Sequence, residues 1–131
     1  MDNFSNCISN LRNAGLVKAR FAQVPNTKFV RRFLHLLYEQ GLITGFFHVN
    51  FKLLRVHISY IGNSSGELAL VASFKRISKP SKRRYVTWSQ ILRYYSGTFI
   101  IVSTNQGLIT GTEALKRGIG GELLLRRYYF L

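Results

Sequence analysis

The spacing of apolar residues changes from helical to alternating within the first sixty positions, which restricts the chain to folds that mix helices with sheets. A period of 3.6 places apolar side chains on one face of a helix, and a period of two places them on one face of a strand. Helical spacing occurs at Phe4, Cys7, Ile8 and Leu11 and again at Phe29, Val30, Phe33, Leu34 and Leu37, whereas Leu54, Val56, Ile58 and Tyr60 alternate. The spacing predicts helices at 3–14, ending before Gly15, and from a cap at Asn26 or Thr27 to Gly41. With strands at 18–24, 42–49 and 54–60, the first half is predicted to be α-β-α-β-β.

The second half is predicted to consist mostly of strands. The run IGNSSGE at 61–67 has no apolar period and predicts a loop and a boundary, so we expect an N-terminal module at 1–66 and a C-terminal module at 67–131. Strands are expected at 68–77, 84–88, 98–102, 108–110 and 122–130, and short helices at 90–95, capped by Ser89, and at 112–117. The predicted fold class is α/β (α+β), with two small modules and a short helix in the β-rich C-terminal one.

The charge of the chain points to a phosphate-rich partner. Nineteen Lys and Arg face five Asp and Glu over 131 residues, a net charge of +14. Residues 1–70 carry eight basic and three acidic side chains, and residues 71–131 carry eleven and two. This excess favours nucleic acid or an anionic membrane surface. No stretch approaches the roughly 20 apolar residues of a membrane span, and no secretory leader is recognisable.

Catalysis is poorly supported, because the chain has little material for acid–base or metal chemistry. His35 and Glu39 are four residues apart on the second helix, but the metalloprotease pattern needs a second histidine. His48 and His57 have no acidic neighbours, and no phosphate-binding glycine loop is present. The single cysteine, Cys7, is interpreted as a small buried hydrophobe. We therefore expect no enzyme activity, no catalytic residue, no metal, no cofactor and no small-molecule substrate.

A basic cluster stands out in the second half. It places six cations in ten residues without an acid, followed by Tyr85: Lys75, Arg76, Lys79, Lys82, Arg83 and Arg84. One interpretation is an edge strand that its charge keeps soluble. The other is a ridge that binds phosphates, beside which the ring or hydroxyl of Tyr85 is available.

Two further segments carry small groups suited to close contact. Residues 103–107, Ser-Thr-Asn-Gln-Gly, place hydroxyls and amides on a turn between predicted strands. This is a common turn type, but small polar groups also suit the shallow minor groove of RNA with its 2′-hydroxyls. Gly120 and Gly121 allow close backbone approach, and Glu122 in so basic a chain is suited to ordering a loop or meeting a hydroxyl.

These segments resemble the small-subunit ribosomal proteins of the universal S-eight family. The strings ISKP at 77–80, STNQGLIT at 103–110 and GGEL at 120–123 are similar to that family in order and spacing. LRNA at 11–14, VPNTK at 24–28 and EQG at 39–41 extend the resemblance over essentially the whole chain. It implies a structural component of the small ribosomal subunit that binds the central domain of small-subunit ribosomal RNA directly and supports assembly, beside neighbouring ribosomal proteins and not at a membrane.

The resemblance also implies which residues bind RNA. The turn at Ser103, Thr104, Asn105 and Gly107 would enter the minor groove of an irregular RNA helix. Its supports would be Lys79, Arg83, Arg84, Tyr85, Gly120, Gly121 and Glu122. The N-terminal module would add phosphate contacts through Arg12, Asn13 and Lys28.

Some positions depart from the family pattern. Ser81 stands where glycine is usual, and Asn105 stands where serine is usual. The 126–131 segment adds charge and aromatic residues, which suggests a further contact with RNA or protein. Scarce acids and abundant Phe and Tyr resemble an organelle-encoded copy, which predicts a mitochondrial ribosome, with a chloroplast or a bacterial cytoplasm as alternatives. A free regulatory protein that binds messenger RNA is the rival function.

Overall fold

The computed structural model describes residues 3–63, 66–78 and 81–127. Its backbone divides into two compact units, of which the first ends at Phe74 and the second begins at Lys75. The division into modules 1–66 and 67–131 stays a prediction, which separate expression of the two segments would test.

The elements of the first unit follow the predicted order and continue into a hairpin. They are α1 (Asn3–Leu16), β1 (Phe21–Pro25), α2 (Lys28–Glu39), β2 (Ile43–His48), β3 (Leu53–Ile58), β4 (Tyr60–Asn63), β5 (Gly66–Ala69) and a 3-10 turn (Leu70–Ser73). The chain then continues through β6 (Phe74–Arg76), β7 (Tyr85–Val86), α3 (Trp88–Tyr94), β8 (Ile100–Thr104), β9 (Gly107–Thr110), α4 (Gly111–Arg117) and β10 (Gly121–Arg127). The predicted mixed α+β class is confirmed.

The first unit packs two helices against an antiparallel sheet of order β1-β3-β2. Val24, Leu54 and Val56 alternate toward the buried side of the sheet, as the period of two predicts. The Phe4 ring of α1 lies edge-on to the Phe33 ring of α2, with 5.0 Å between the ring centres. Cys7 is fully buried, and burial raises the pKa of its thiol, which confirms the prediction of a buried hydrophobe.

The second unit is built around β10. The sheet order is β6-β10-β8-β9, and β7 also pairs with β10, so β6 and β7 share the edge opposite β8. One face of the sheet packs against α3 and α4 through a buried core of Ile91, Ile100, Val102, Ile109, Ala114 and Leu123. The other face carries Tyr85, Ser103 and Glu122.

The loop predicted at 61–67 is largely wrong. Residues 60–63 and 66–69 pair as an antiparallel hairpin, from Tyr60 opposite Ala69 to Asn63 opposite Gly66. A local hairpin of this kind is stabilised by backbone hydrogen bonds, which do not require the apolar alternation used for the prediction. The single strand predicted at 68–77 is likewise interrupted, because the 3-10 turn at Leu70–Ser73 buries Val71 and Ala72 instead.

Two predicted helix boundaries are also wrong. Gly15 does not end α1 but is buried within its last turn. The cap of α3 is Thr87 rather than Ser89: the Thr87 hydroxyl accepts from the Gln90 amide, and the Gln90 side chain accepts from the Thr87 amide. This reciprocal pair is a capping box, which the sequence Thr87-Trp88-Ser89-Gln90 matches. Because the helix begins there, the strand expected at 84–88 ends two residues early.

Candidate nucleic-acid interface

Three polar side chains form a row across the outward face of the second sheet. Glu122 of β10 lies directly opposite Ser103 of β8 on one side and Tyr85 of β7 on the other. Residues directly opposite one another in antiparallel strands project from the same face. Their neighbours Val102 and Leu123 point into the core, so the row faces away from α3 and α4. The strand pairing therefore brings together three residues that are distant in sequence.

The Gly120-Gly121 pair is required by close backbone approach on both sides of β10. A Cβ atom added at Gly121 would lie 2.2 Å from the carbonyl oxygen of Ser103, and one added at Gly120 would lie 2.3 Å from that of Val86. Neither distance is compatible with a side chain. The glycines thus let β10 start between the end of β8 and the cap of α3, which positions the row at the N-terminal end of β10.

The turn after β8 is closed by the hydroxyl of Thr104. This hydroxyl donates to the carbonyl oxygen of Gly107 at 2.9 Å and accepts from the amide of Gln106 at 3.1 Å. Its hydrogen and one of its two lone pairs are therefore used within the turn, and it can offer an outside partner only an acceptor. Gly107 has φ +105°, a backbone conformation that favours glycine. Asn105 is exposed at the tip.

We refer to Tyr85, Ser103, Thr104, Asn105, Gly107, Gly120, Gly121 and Glu122 as the turn face. It carries hydroxyl, phenol and amide groups, and Tyr85 is 69% exposed. Such groups can donate to and accept from the 2′-hydroxyls and base edges of a shallow RNA groove.

Glu122 holds Arg83 and Arg84, which we refer to as the basic segment, in place. Its carboxylate accepts from the Ser78 hydroxyl at 2.5 Å and from the Arg83 guanidinium at 3.0 Å, and the Ser78 hydroxyl accepts from the Arg84 amide at 3.2 Å. Ser78 is 1% exposed and the Glu122 side chain 14% exposed. The network ties residues 78, 83 and 84 to β10, which suits the loop-ordering role expected of an acid here.

The remaining candidate residues lie at different places. Arg84 is exposed beside the turn face, and Lys79 lies outside the described residues. In the first unit, Arg12 and Asn13 are exposed on α1, and Lys28 is the first residue of α2.

The sequence did not predict that Ser78 would bind Glu122 or that Arg117 would hold Gln106 in the turn. The Arg117 guanidinium donates to the Gln106 side chain at 3.0 Å and to Glu113 at 3.0 Å. The four-residue spacing of Glu113 and Arg117 on a predicted helix was a usable signal for their pairing. Nothing local in the sequence links Ser78 to Glu122, because they meet only when β10 joins the sheet.

Metal and membrane features are absent from the part of the chain that the structure describes. Among those residues no group of three or more His, Cys, Asp or Glu side chains is arranged to hold a metal ion. Within the same residues, no helix is both long enough and apolar enough to cross a membrane.

Comparison with known proteins identifies the family. The family model of ribosomal protein S8 matches residues 2–128. Small ribosomal subunit protein uS8 of Chlorobium phaeovibrioides is 34% identical over 131 residues, covering 97% of each chain. Small ribosomal subunit protein uS8c of Marchantia polymorpha is 35% identical over 127 residues, and that of Guillardia theta is 33% identical over 127, each covering 94% of this chain and 95% of the relative.

The fold and these matches define a structural protein of the small ribosomal subunit, which serves translation and is not an enzyme. The chain belongs to the ribosomal protein S8 family. The relatives include bacterial and chloroplast proteins.

Proposed function

We propose that this protein binds the central domain of small-subunit ribosomal RNA directly, through the turn face, and supports early assembly of the subunit. The observation that carries the proposal is the row of Tyr85, Glu122 and Ser103, which the two glycines hold beside the Thr104 turn. The carboxylate in this row is already paired with Arg83 and Ser78, so its repulsion of phosphates is reduced.

The division of labour follows from the chemistry of each part. Arg84 and Lys82 are exposed cations beside the turn face, and they attract any RNA through its phosphates. Selectivity must come from short groups that reach an irregular groove, and the turn at 104–107 offers a hydroxyl oxygen and an amide without long side chains. Arg12, Asn13 and Lys28 add phosphate contacts from the first unit.

Replacing Thr104 with valine tests the turn as the selectivity element. The change preserves β-branching but removes an acceptor available to RNA and both hydrogen bonds that close the turn. We expect affinity for a central-domain RNA helix to fall by roughly 1–3 kcal/mol, as for the loss of a buried hydrogen-bond partner. Calorimetry with that helix and with an unrelated duplex measures the effect.

Thr104→Ser is the matched control, because serine retains the hydroxyl and can close the same turn. It should bind the cognate helix nearly as well as the native protein. Equal losses of Thr104→Val on both duplexes, or no loss on either, would exclude the turn as the selectivity element.

The salt dependence of binding tests the phosphate contacts. Arg84→Gln should flatten the slope of log affinity against log salt by about 0.7–0.9, the value for one phosphate contact. Lys52→Gln, in the less charged first unit, removes the same charge and should change the slope less. An unchanged slope for Arg84→Gln would show that this guanidinium faces solvent in the complex.

We further propose that the ribosome concerned is mitochondrial. The support is compositional: ten Phe and seven Tyr accompany only five acidic residues, as in organelle-encoded copies. Immunodetection in organelle fractions, followed by sedimentation after a high-salt wash, should recover the protein with the mitochondrial small subunit. Recovery with plastid or bacterial small subunits would support one of the alternatives instead.

A further inference from the structure

The outward side of the sheet in the first unit carries aromatic and cationic side chains. Phe21 of β1, Phe47 of β2 and Arg55 and His57 of β3 share this side, because they alternate with the buried residues of each strand. We refer to these four residues as the aromatic face. The residues Phe21 and Phe47 are 43% and 58% exposed, far more than core residues would be.

Contacts within the aromatic face order its planar groups. The guanidinium carbon of Arg55 lies 4.4 Å from the centre of the Phe21 ring. The Phe47 and His57 ring centres are 5.2 Å apart, with an angle of 83° between the ring planes. The face therefore offers several planes that are already held by one another, which reduces the ordering cost of binding a flat ligand.

The charge around the aromatic face favours an anionic partner. The guanidinium of Arg55 lies over the Phe21 ring, and its Nε atom is shielded from solvent without a hydrogen-bond partner among the described residues. Between residues 3 and 63, Glu39 is the one acidic residue of the sequence. A ligand with phosphates and planar rings matches both properties of the face.

The space beside these groups suits a single flat ring. An open cavity of about 250 Å³ is lined by Phe47, His48, Val49, Arg55 and His57. This lies below the range of drug-sized ligand sites and is shallow enough to remain accessible from solvent. The rings of Phe47, His48 and His57 and the guanidinium of Arg55 line this cavity. Such planar groups are the ones on which nucleobases stack.

We propose that the aromatic face is a second RNA-binding surface, which stacks unpaired bases of RNA while the positive charge of Arg55 attracts the phosphates. It is distinct in chemistry from the turn face, which offers hydroxyls and amides to a paired groove. Stacking is tolerant of sequence, because every base presents a planar face. The aromatic face therefore adds affinity for unpaired RNA segments without selecting for their base sequence.

The test compares two probes with the full chain. Fluorescence anisotropy is measured with a labelled single-stranded oligoadenylate and with an abasic oligomer of equal length and charge. We expect the native protein to prefer the oligoadenylate by about fivefold or more, since the phosphates are the same and only the bases differ. Phe47→Leu and Arg55→Lys should each reduce this preference, and Arg55→Lys does so with the charge retained.

Two controls separate this result from other causes. Tyr94→Leu removes a ring from α3 of the other unit, at a residue that is 66% exposed, and should leave the preference unchanged. Phe47→Leu should leave the affinity for a central-domain RNA helix unchanged, because that helix binds the turn face. If the helix failed to bind the native protein, the proposed function would be wrong, but the preference for oligoadenylate would still test the aromatic face. Circular dichroism checks that each variant is folded.

Equal affinity of the native protein for the two oligomers would overturn the proposal and favour an apolar protein segment as the occupant. An undiminished preference in folded Phe47→Leu and Arg55→Lys would also overturn it, because the bases would then be bound elsewhere.

Discussion

Gly121→Ala is expected to destabilise the second unit and to abolish tight RNA binding. The added methyl group would lie 2.2 Å from the Ser103 carbonyl oxygen and 3.1 Å from the Thr104 methyl group. Since the nearest atom belongs to the backbone of a paired strand, relief requires β8 and β10 to separate at their ends. Overpacking of this kind costs about 1–3 kcal/mol and occasionally more. Thermal unfolding and calorimetry with a central-domain RNA helix measure the two effects.

Gly45→Ala is the matched control for this substitution. Its added methyl group would meet only the Phe47 ring, at 3.5 Å, an ordinary contact distance. The melting temperature of Gly45→Ala should change little or rise, because alanine reduces the entropy of the unfolded chain. If Gly121→Ala were as stable as Gly45→Ala, the strand ends would not approach as closely as described.

Glu122→Ala is expected to weaken RNA binding even though it removes a negative charge. If charge alone decided the outcome, RNA affinity would rise, because loss of a carboxylate increases the attraction for phosphates. The Ser78 hydroxyl, however, is 1% exposed and would lose its acceptor, at a cost of about 1–3 kcal/mol in the free energy of unfolding. Arg83 would lose its partner at the same time, and the basic segment would no longer be tied to β10.

The sign of the change decides between these two effects. Glu39→Ala removes the same charge from an exposed pair with His35 on α2 of the first unit and should leave affinity equal or slightly higher. Affinity is measured with the central-domain RNA helix at fixed salt for both variants. A tighter complex with Glu122→Ala than with the native protein would mean that its charge outweighs its hydrogen bonds.

Periodicity predicted the elements whose burial follows from local sequence. The apolar stripe of α2 and the alternation of β3 lead directly to their buried faces, because each element must bury one side. The hairpin of β4 and β5 lacks such a pattern, and its pairing depends on backbone groups. Capping at Thr87 was readable from Gln90 three residues later, but the preceding β-branched and aromatic residues suggested a strand instead.

The candidate site was only partly accessible to sequence reasoning. The small polar groups of the 103–107 turn and the paired glycines are local signals, so their positions could be predicted. Their arrangement in space could not be predicted, because Ser103 and Tyr85 come together only through their pairing with β10. The hydrogen bond between Ser78 and Glu122 likewise joins residues 44 positions apart. The aromatic face depends in the same way on the register of three strands, which places Phe21 opposite His57.

The packing of α3 on α4 makes the second unit spectroscopically distinct. Trp88 is the single tryptophan of the chain, and its indole N–H donates to the Leu115 carbonyl oxygen at 3.0 Å. The indole thus bridges two helices while 39% of the residue remains exposed. Its emission therefore reports the docking of these two helices. A single excitation wavelength can follow the melting of one half of the protein within the intact chain.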